Sequence, residues 1–221
     1  MMTVLTFCLF MPALFLCGRR LATQAAGFIR AVEGAPPPRL PGTFRLALVF
    51  ALTGSWIVTR GLSQQLPDAL VFRDLMLLGW GVLLCQLDVA RRWLPLAHTN
   101  AFILSGLLFT LLPGAGPSSL VAAADGLGMC GLLWLFRLWV NRHGFERFGQ
   151  GDVWLIAGLS VWLTLPVAAG LTLSALLIIT LRHLAALAGL LPSVRDTPLA
   201  PWLFLCVCVA LLTQTFPFTT G

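Results

Sequence analysis

The sequence predicts an all-α, polytopic transmembrane bundle of about eight spans, and three observations carry that reading. Apolar residues make up 58% of the 221-residue chain and charged residues only 10%, against about 25% charged in an ordinary soluble domain. The mean hydropathy is +0.92, and the apolar residues fall in runs separated by short polar or Pro/Gly-bearing stretches, which is the pattern of spans. All 14 basic residues are Arg, and they collect in alternate loops, as they do where basic residues set topology. The net charge of +6 has no polar domain to sit in, so a nucleic-acid partner is not expected.

Residues 1–17 read as the first span, with the N-terminus outside. The arginines follow this run instead of preceding it, the wrong order for a cleaved signal peptide. Residues 18–43, with Arg19, Arg20, Arg30 and Arg39 and the run Pro36-Pro37-Pro38, are expected to form a polar loop. Further spans are expected at residues 45–59, 70–87, 101–112 with its flanks, 120–140, 153–168, 171–188 and 199–216. Pro113-Gly114-Ala115-Gly116-Pro117 reads as a tight uncharged turn. Residues 1–68 are taken as N-terminal spans with a short basic cytoplasmic loop, and residues 69–221 as a six-span core.

This alternation puts 12 of the 14 arginines on one side, the cytoplasmic one, and leaves Arg60 and Arg73 on the other. The third span then runs inward and the sixth outward. Asp88 closes the third and Asp152 opens the sixth, so two carboxyl groups are expected on the same membrane face. Asp152 follows Gly149 and Gly151; glycines permit unusual backbone conformations and the close approach of another chain, such as an extended peptide.

Two carboxyl groups in reach of each other can activate water on an amide carbonyl. One accepts a proton from the water while its protonated partner donates to the carbonyl oxygen. No cofactor or metal is expected. Cys8, Cys17, Cys85, Cys130, Cys206 and Cys208 lie in apolar runs without a CxxC pair, and His98, His143 and His183 are scattered.

The stretch Gly149-Gln150-Gly151-Asp152 followed by Leu155 and Ala157 resembles the GxGD signature of the type IV prepilin peptidases, which are membrane aspartyl peptidases. Asp88-Val89-Ala90-Arg91-Arg92-Trp93-Leu94-Pro95 is similar to that family's other aspartate motif, and Thr197-Pro198-Leu199-Ala200-Pro201-Trp202 to its Pro-x-x-Pro lead into the last span. The resemblance implies a peptidase of the bacterial inner membrane that removes the leader of type IV prepilins or pseudopilins on the cytoplasmic side, after a Gly. It implies Asp88 and Asp152 as the catalytic pair, with Gly149, Gly151 and Pro95 shaping the backbone around the substrate. The chain departs from the pattern in three ways. It has no cytoplasmic domain with paired CxxC motifs, the feature associated with N-methylation; Trp154 stands where Lys is common; and Leu96 stands where Asn or Asp is common.

Other readings of these residues exist. Asp88 as a boundary residue paired with Arg91 or Arg92 would contribute only about a few tenths of a kcal/mol, and Asp152 as a helix N-cap is compatible with catalysis. Asp125 is read as the remaining intramembrane acid, structural and near Arg60 or Arg73. A non-catalytic pilus or secretion assembly component, or a small transporter, would share the membrane fold; a transporter would show repeated halves, which are not found. From the helix dipoles, Asp152 at a helix N-terminus is expected to be the ionised base and Asp88 at a helix C-terminus the protonated acid. Membrane lipid surrounds the protein in every reading.

Overall fold

The computed structural model describes residues 2–34, 42–114, 116–142, 148–192 and 197–213. Among them it contains eight α-helices and no strand: α1 (Met2–Glu33), α2 (Thr43–Gln64), α3 (Asp68–Arg91), α4 (Leu96–Phe109), α5 (Ser119–Val140), α6 (Gln150–Trp162), α7 (Leu165–Leu187) and α8 (Ala200–Thr213). Helices α1, α2, α3, α5 and α7 are long and apolar enough to cross a membrane. Helices α4 and α8, of 14 residues each, and α6, of 13, are shorter than the roughly 20 residues of a full span.

The short helices form the centre. From Leu155 to Trp162 every residue of α6 is buried, which a helix apolar on all sides requires. It docks on α4 through glycines. Gly158 meets Phe102, while Gly106 of α4 meets Trp162, whose indole N–H donates to the Phe102 carbonyl at 2.9 Å. On the other side Gly126 of α5 meets Val161. The outer helices instead present leucines to the surroundings, such as Leu127 and Leu135 on α5 and Leu173 and Leu177 on α7.

Three expectations are corrected. The stretch 18–33 is not a loop; α1 continues through it to Glu33. Gly18, Ala22, Ala25 and Ile29 recur at helical spacing and are buried, and Ala25 and Ile29 pack with Leu87 of α3, so a small-residue stripe prevails over the intervening arginines. Residues 35–41, which hold the Pro run, lie outside the described residues, as does Phe216 at the expected end of the last span. The second correction concerns the sixth span, which ends at Trp162 and not at Ala168. Leu163 and extended Thr164 break the helix, and Pro166 falls in the first turn of α7, where its missing N–H removes nothing.

The third concerns charge. Asp125 is not the remaining intramembrane acid, and it does not meet Arg60 or Arg73. Its carboxylate accepts the Leu165 N–H at 2.8 Å, capping α7. The arginines belong with Asp74. Arg73 Nε and Nη2 donate to Asp74 Oδ1 at 3.1 and 2.9 Å, and Arg60 Nη2 stands 4.0 Å from Asp74 Oδ2. Arg60 also donates to the Leu211 carbonyl at 3.4 Å, so this buried group joins α2, α3 and α8 away from the arginine-rich end. An acid inside the third span was itself the signal to follow. Asp74→Ala leaves two guanidiniums facing one another in apolar surroundings and is expected to lower stability by about 3–5 kcal/mol. The thermal midpoint of the detergent-solubilised protein measures this, and Arg60→Ala, at the looser contact, should lower it less.

Candidate active site

The end of α3 carries Asp88, which is buried. The helix stops one turn later because Arg92 takes a left-handed conformation (φ 51°) and returns its N–H to the Asp88 carbonyl at 2.8 Å. A non-glycine residue pays for that conformation with about 1–2 kcal/mol. The turn sends Leu94 and Pro95 back into the bundle, where both are buried. Pro95 starts α4, its carbonyl accepting from the N–H groups of His98 and Thr99 at 2.9 and 3.1 Å. Phe28 of α1 closes the outside, stacked on Trp93 with centroids 6.1 Å apart and edge-on to His98 at 4.3 Å.

The first turn of α6 sits directly on this loop. A Cβ placed on Gly151 would lie 2.8 Å from Leu94 Cβ and 3.3 Å from the Leu94 carbonyl oxygen. Gly151 therefore admits the chain's own Leu94, and the need is for space. Gly149 needs no special conformation either, since its φ of −73° and ψ of 149° suit most residues. A Cβ there would lie 3.3 Å from Asp152 Oδ2. Gly149 is the N-cap, and Asp152, at the third helical position, reaches back to accept the Gly149 N–H. This is the acidic half of a capping box, so the cap position is Gly149 and not Asp152.

Asp88 is held by a different helix. Its Oδ2 accepts the Ala200 N–H at 2.8 Å, and the carboxylate also accepts from Leu199. These are the free donors at the start of α8. Pro201 has no N–H to offer, which leaves Leu199 and Ala200 as the donors of that turn, and Pro198 and Pro201 are the sequence mark of the helix start. The dipole asymmetry expected between the two acids is thereby offset, because Asp88 faces the positive end of α8 although it lies at the negative end of α3. The charge of Arg92 also acts on it.

The two carboxyl groups lie within electrostatic range of each other at this end of the bundle, the charge of Asp88 acting on Asp152. Asp88, Asp152, Gly149, Gly151 and Pro95 thus belong to one cluster built from the ends of α3, α4, α6 and α8. Leu94, Leu199 and Ala200 complete it. Among the described residues no group of three or more His, Cys, Asp or Glu is arranged to hold a metal ion. Two carboxyl groups on fixed helix ends, with backbone N–H groups beside each, form a place where water and a peptide carbonyl can exchange protons.

The profile of the type IV leader peptidase family matches residues 75–215. The chain belongs to that family. A prepilin leader peptidase/N-methyltransferase of Dickeya chrysanthemi is 32% identical over 124 residues, covering 55% of this chain and 42% of the relative. Another, from Klebsiella pneumoniae, is 32% identical over 122 residues, covering 54% of this chain and 52% of the relative. The chain thus spans about half the length of the curated relatives it matches. No solved structure matches it significantly. The matched region begins within α3, includes both aspartates and ends two residues beyond Thr213, the last described residue of α8.

Adding a methyl group tests the fit of the two motifs. Gly151→Ala meets a Cβ and a backbone oxygen that cannot both yield, and overpacking of this kind costs about 1–3 kcal/mol. Gly149→Ala pushes only on a carboxylate and should cost less. Thermal midpoints of the two variants should rank in that order, and Leu94→Gly should relieve part of the Gly151→Ala defect because it removes the nearer atom.

Proposed function

We propose that the protein is a membrane aspartyl endopeptidase that cleaves the leader of type IV prepilins or pseudopilins after Gly, with Asp88 and Asp152 activating water. The observation that carries this reading is the cluster itself, in which two aspartates from distant parts of the chain come within electrostatic reach at one end of the bundle. The family, and relatives whose names include prepilin leader peptidase, supply the substrate class. The arginine-rich loops support a cytoplasmic orientation for this end in the bacterial inner membrane, with residues 69–221 proposed as the peptidase core.

The chemistry follows from the two acids. A water between them gives a proton to the ionised carboxylate as its oxygen attacks the scissile carbonyl, and the protonated partner donates to that carbonyl oxygen. The tetrahedral intermediate collapses as the C–N bond breaks, and the proton taken from the water passes to the leaving amine. Asp88 is the ionised base. The Ala200 N–H at 2.8 Å and the charge of Arg92 both act on the Asp88 carboxylate, whereas Asp152 has the N–H of Gly149 and the repelling charge of Asp88. This reverses the assignment from helix position within the sequence alone. The titrations belong to the pair.

Coexpression with a prepilin tests the reading. Asp88→Asn and Asp152→Asn keep the size of each side chain and are expected to abolish leader removal at unchanged membrane levels. Wild-type processing by either variant would refute the pair, and a wild-type protein that processes no prepilin or pseudopilin would favour an assembly role. In carboxyl infrared difference spectra, the protonated-carboxyl band should vanish in Asp152→Asn, and in Asp88→Asn it should titrate at lower pH because the charge of Asp88 no longer acts on Asp152.

The same reading separates peptidase from methyltransferase activity. The 221 residues contain no CxxC pair, so a pilin processed by this chain as the only family member is expected to carry a free amino terminus. Mass analysis that finds an N-methylated terminus would overturn this.

A further inference from the structure

We propose that Asn141 is a positioning residue for Asp152, acting through the peptide plane between Phe148 and Gly149. This inference rests on the peptidase reading for its catalytic consequence, although the geometry stands without it. Asn141 caps the C-terminus of α5, its own N–H bonded to the Arg137 carbonyl at 2.9 Å. From there its amide side chain grips one residue from both sides. Nδ2 donates to the Phe148 carbonyl at 3.0 Å, and Oδ1 accepts the Phe148 N–H at 3.2 Å. Arg137 Nε donates to the same carbonyl at 3.3 Å, its guanidinium lying over Trp134 at 5.3 Å. The Phe148 ring is set edge-on against Phe136, with centroids 5.6 Å apart.

The consequence lies one bond away. The Phe148 carbonyl and the Gly149 N–H belong to a single planar trans peptide, so they point in opposite directions. Holding the carbonyl toward Asn141 and Arg137 aims the N–H away from them, and that N–H is the donor the Asp152 carboxylate accepts. Donors on the carbonyl also polarise the plane and strengthen its N–H as a donor. Asn suits the position because one amide offers a donor and an acceptor side by side, matching the two backbone groups of a residue. Ala would leave both without this partner. Asp would keep only the acceptor. The last turn of α5 therefore sets the rotation of the first turn of α6, and with it the direction of the Asp152 carboxyl toward Asp88.

The test uses the full chain in detergent or reconstituted membranes, with a prepilin-derived peptide as substrate. Asn141→Ala is expected to lower kcat about 10- to 100-fold, the scale of a catalytic group displaced by about 1 Å, with KM within about twofold of wild type. Asn141→Asp keeps the size and the acceptor, and it is read in place of the Ala variant if that variant does not fold. A folded variant with wild-type kcat, or one in which only KM rises, would overturn the proposal.

A second readout needs no substrate. The carboxyl infrared bands of Asp152, identified by their loss in Asp152→Asn, should be displaced in the Asn141 variants; unmoved bands would overturn the proposal, because a cap that merely stabilises α5 has no reason to move them. A wild-type protein that fails to cleave counts against the peptidase reading alone, and the infrared comparison still decides the role of Asn141.

Discussion

Everything at the proposed site depends on how closely α6 can approach the loop that follows α3. Helices usually pack with their axes about 8–10 Å apart, separated by side chains. At Gly151 no side chain intervenes, and Leu94 touches the helix backbone itself. The same economy of volume is repeated along α6, where Gly158 receives Phe102 and Trp162 enters the space left by Gly106. These contacts alternate between the two helices, so α6 can neither slide nor turn on α4 without a collision. The position of Asp152 is thereby tied to packing two and three turns away.

Helix starts provide the polar half of the design. Three aspartates accept backbone N–H groups from the first turn of a helix: Asp125 at α7, Asp88 at α8 and Asp152 at the cap of its own α6. The device satisfies donors that would otherwise be unpaired in an apolar setting. Asp125 shows the device in isolation, doing structural work. Asp88 and Asp152 differ because the charge of one acts on the other. The proposed site combines two ordinary helix caps, one at the start of the short α6 and one at the start of the short α8.

Much of this was legible in the residues. The apolar runs placed most helices to within a few positions, and the GxGD stretch and the earlier Asp motif lie at the start of α6 and the end of α3 as expected, since motif residues and span ends are both local signals. The α1 extension was hidden because the small-residue stripe of Ala22, Ala25 and Ile29 is interrupted by arginines that face outward. Asp74 was overlooked although it lies inside the expected third span, because it belongs to no motif and Arg60 reaches it from another helix. For Gly149 and Gly151 the sequence offered both conformational freedom and close approach, and at Gly151 close approach to Leu94 is the one that applies; which of the two a glycine serves depends on what lies opposite, and Leu94 is 57 positions away (151 − 94). The bonds from α8 to Asp88 and from Asn141 to Phe148 are tertiary facts that no spacing encodes.

The brevity of α6 has a consequence for the helices around it. Thirteen residues rise only about 20 Å, against a hydrocarbon layer about 30 Å thick. The turn into α7 at Leu163 and Thr164 therefore falls short of the far interface, and Asp125, two turns into α5, supplies the polar partner that lets a chain reversal exist at such depth. From Leu155 to Trp162 α6 is buried, so along that stretch its neighbours, and not lipid, meet the short helix. Those neighbours thus carry the mechanical load on α6, and whatever presses on them acts on the carboxyl group near its start.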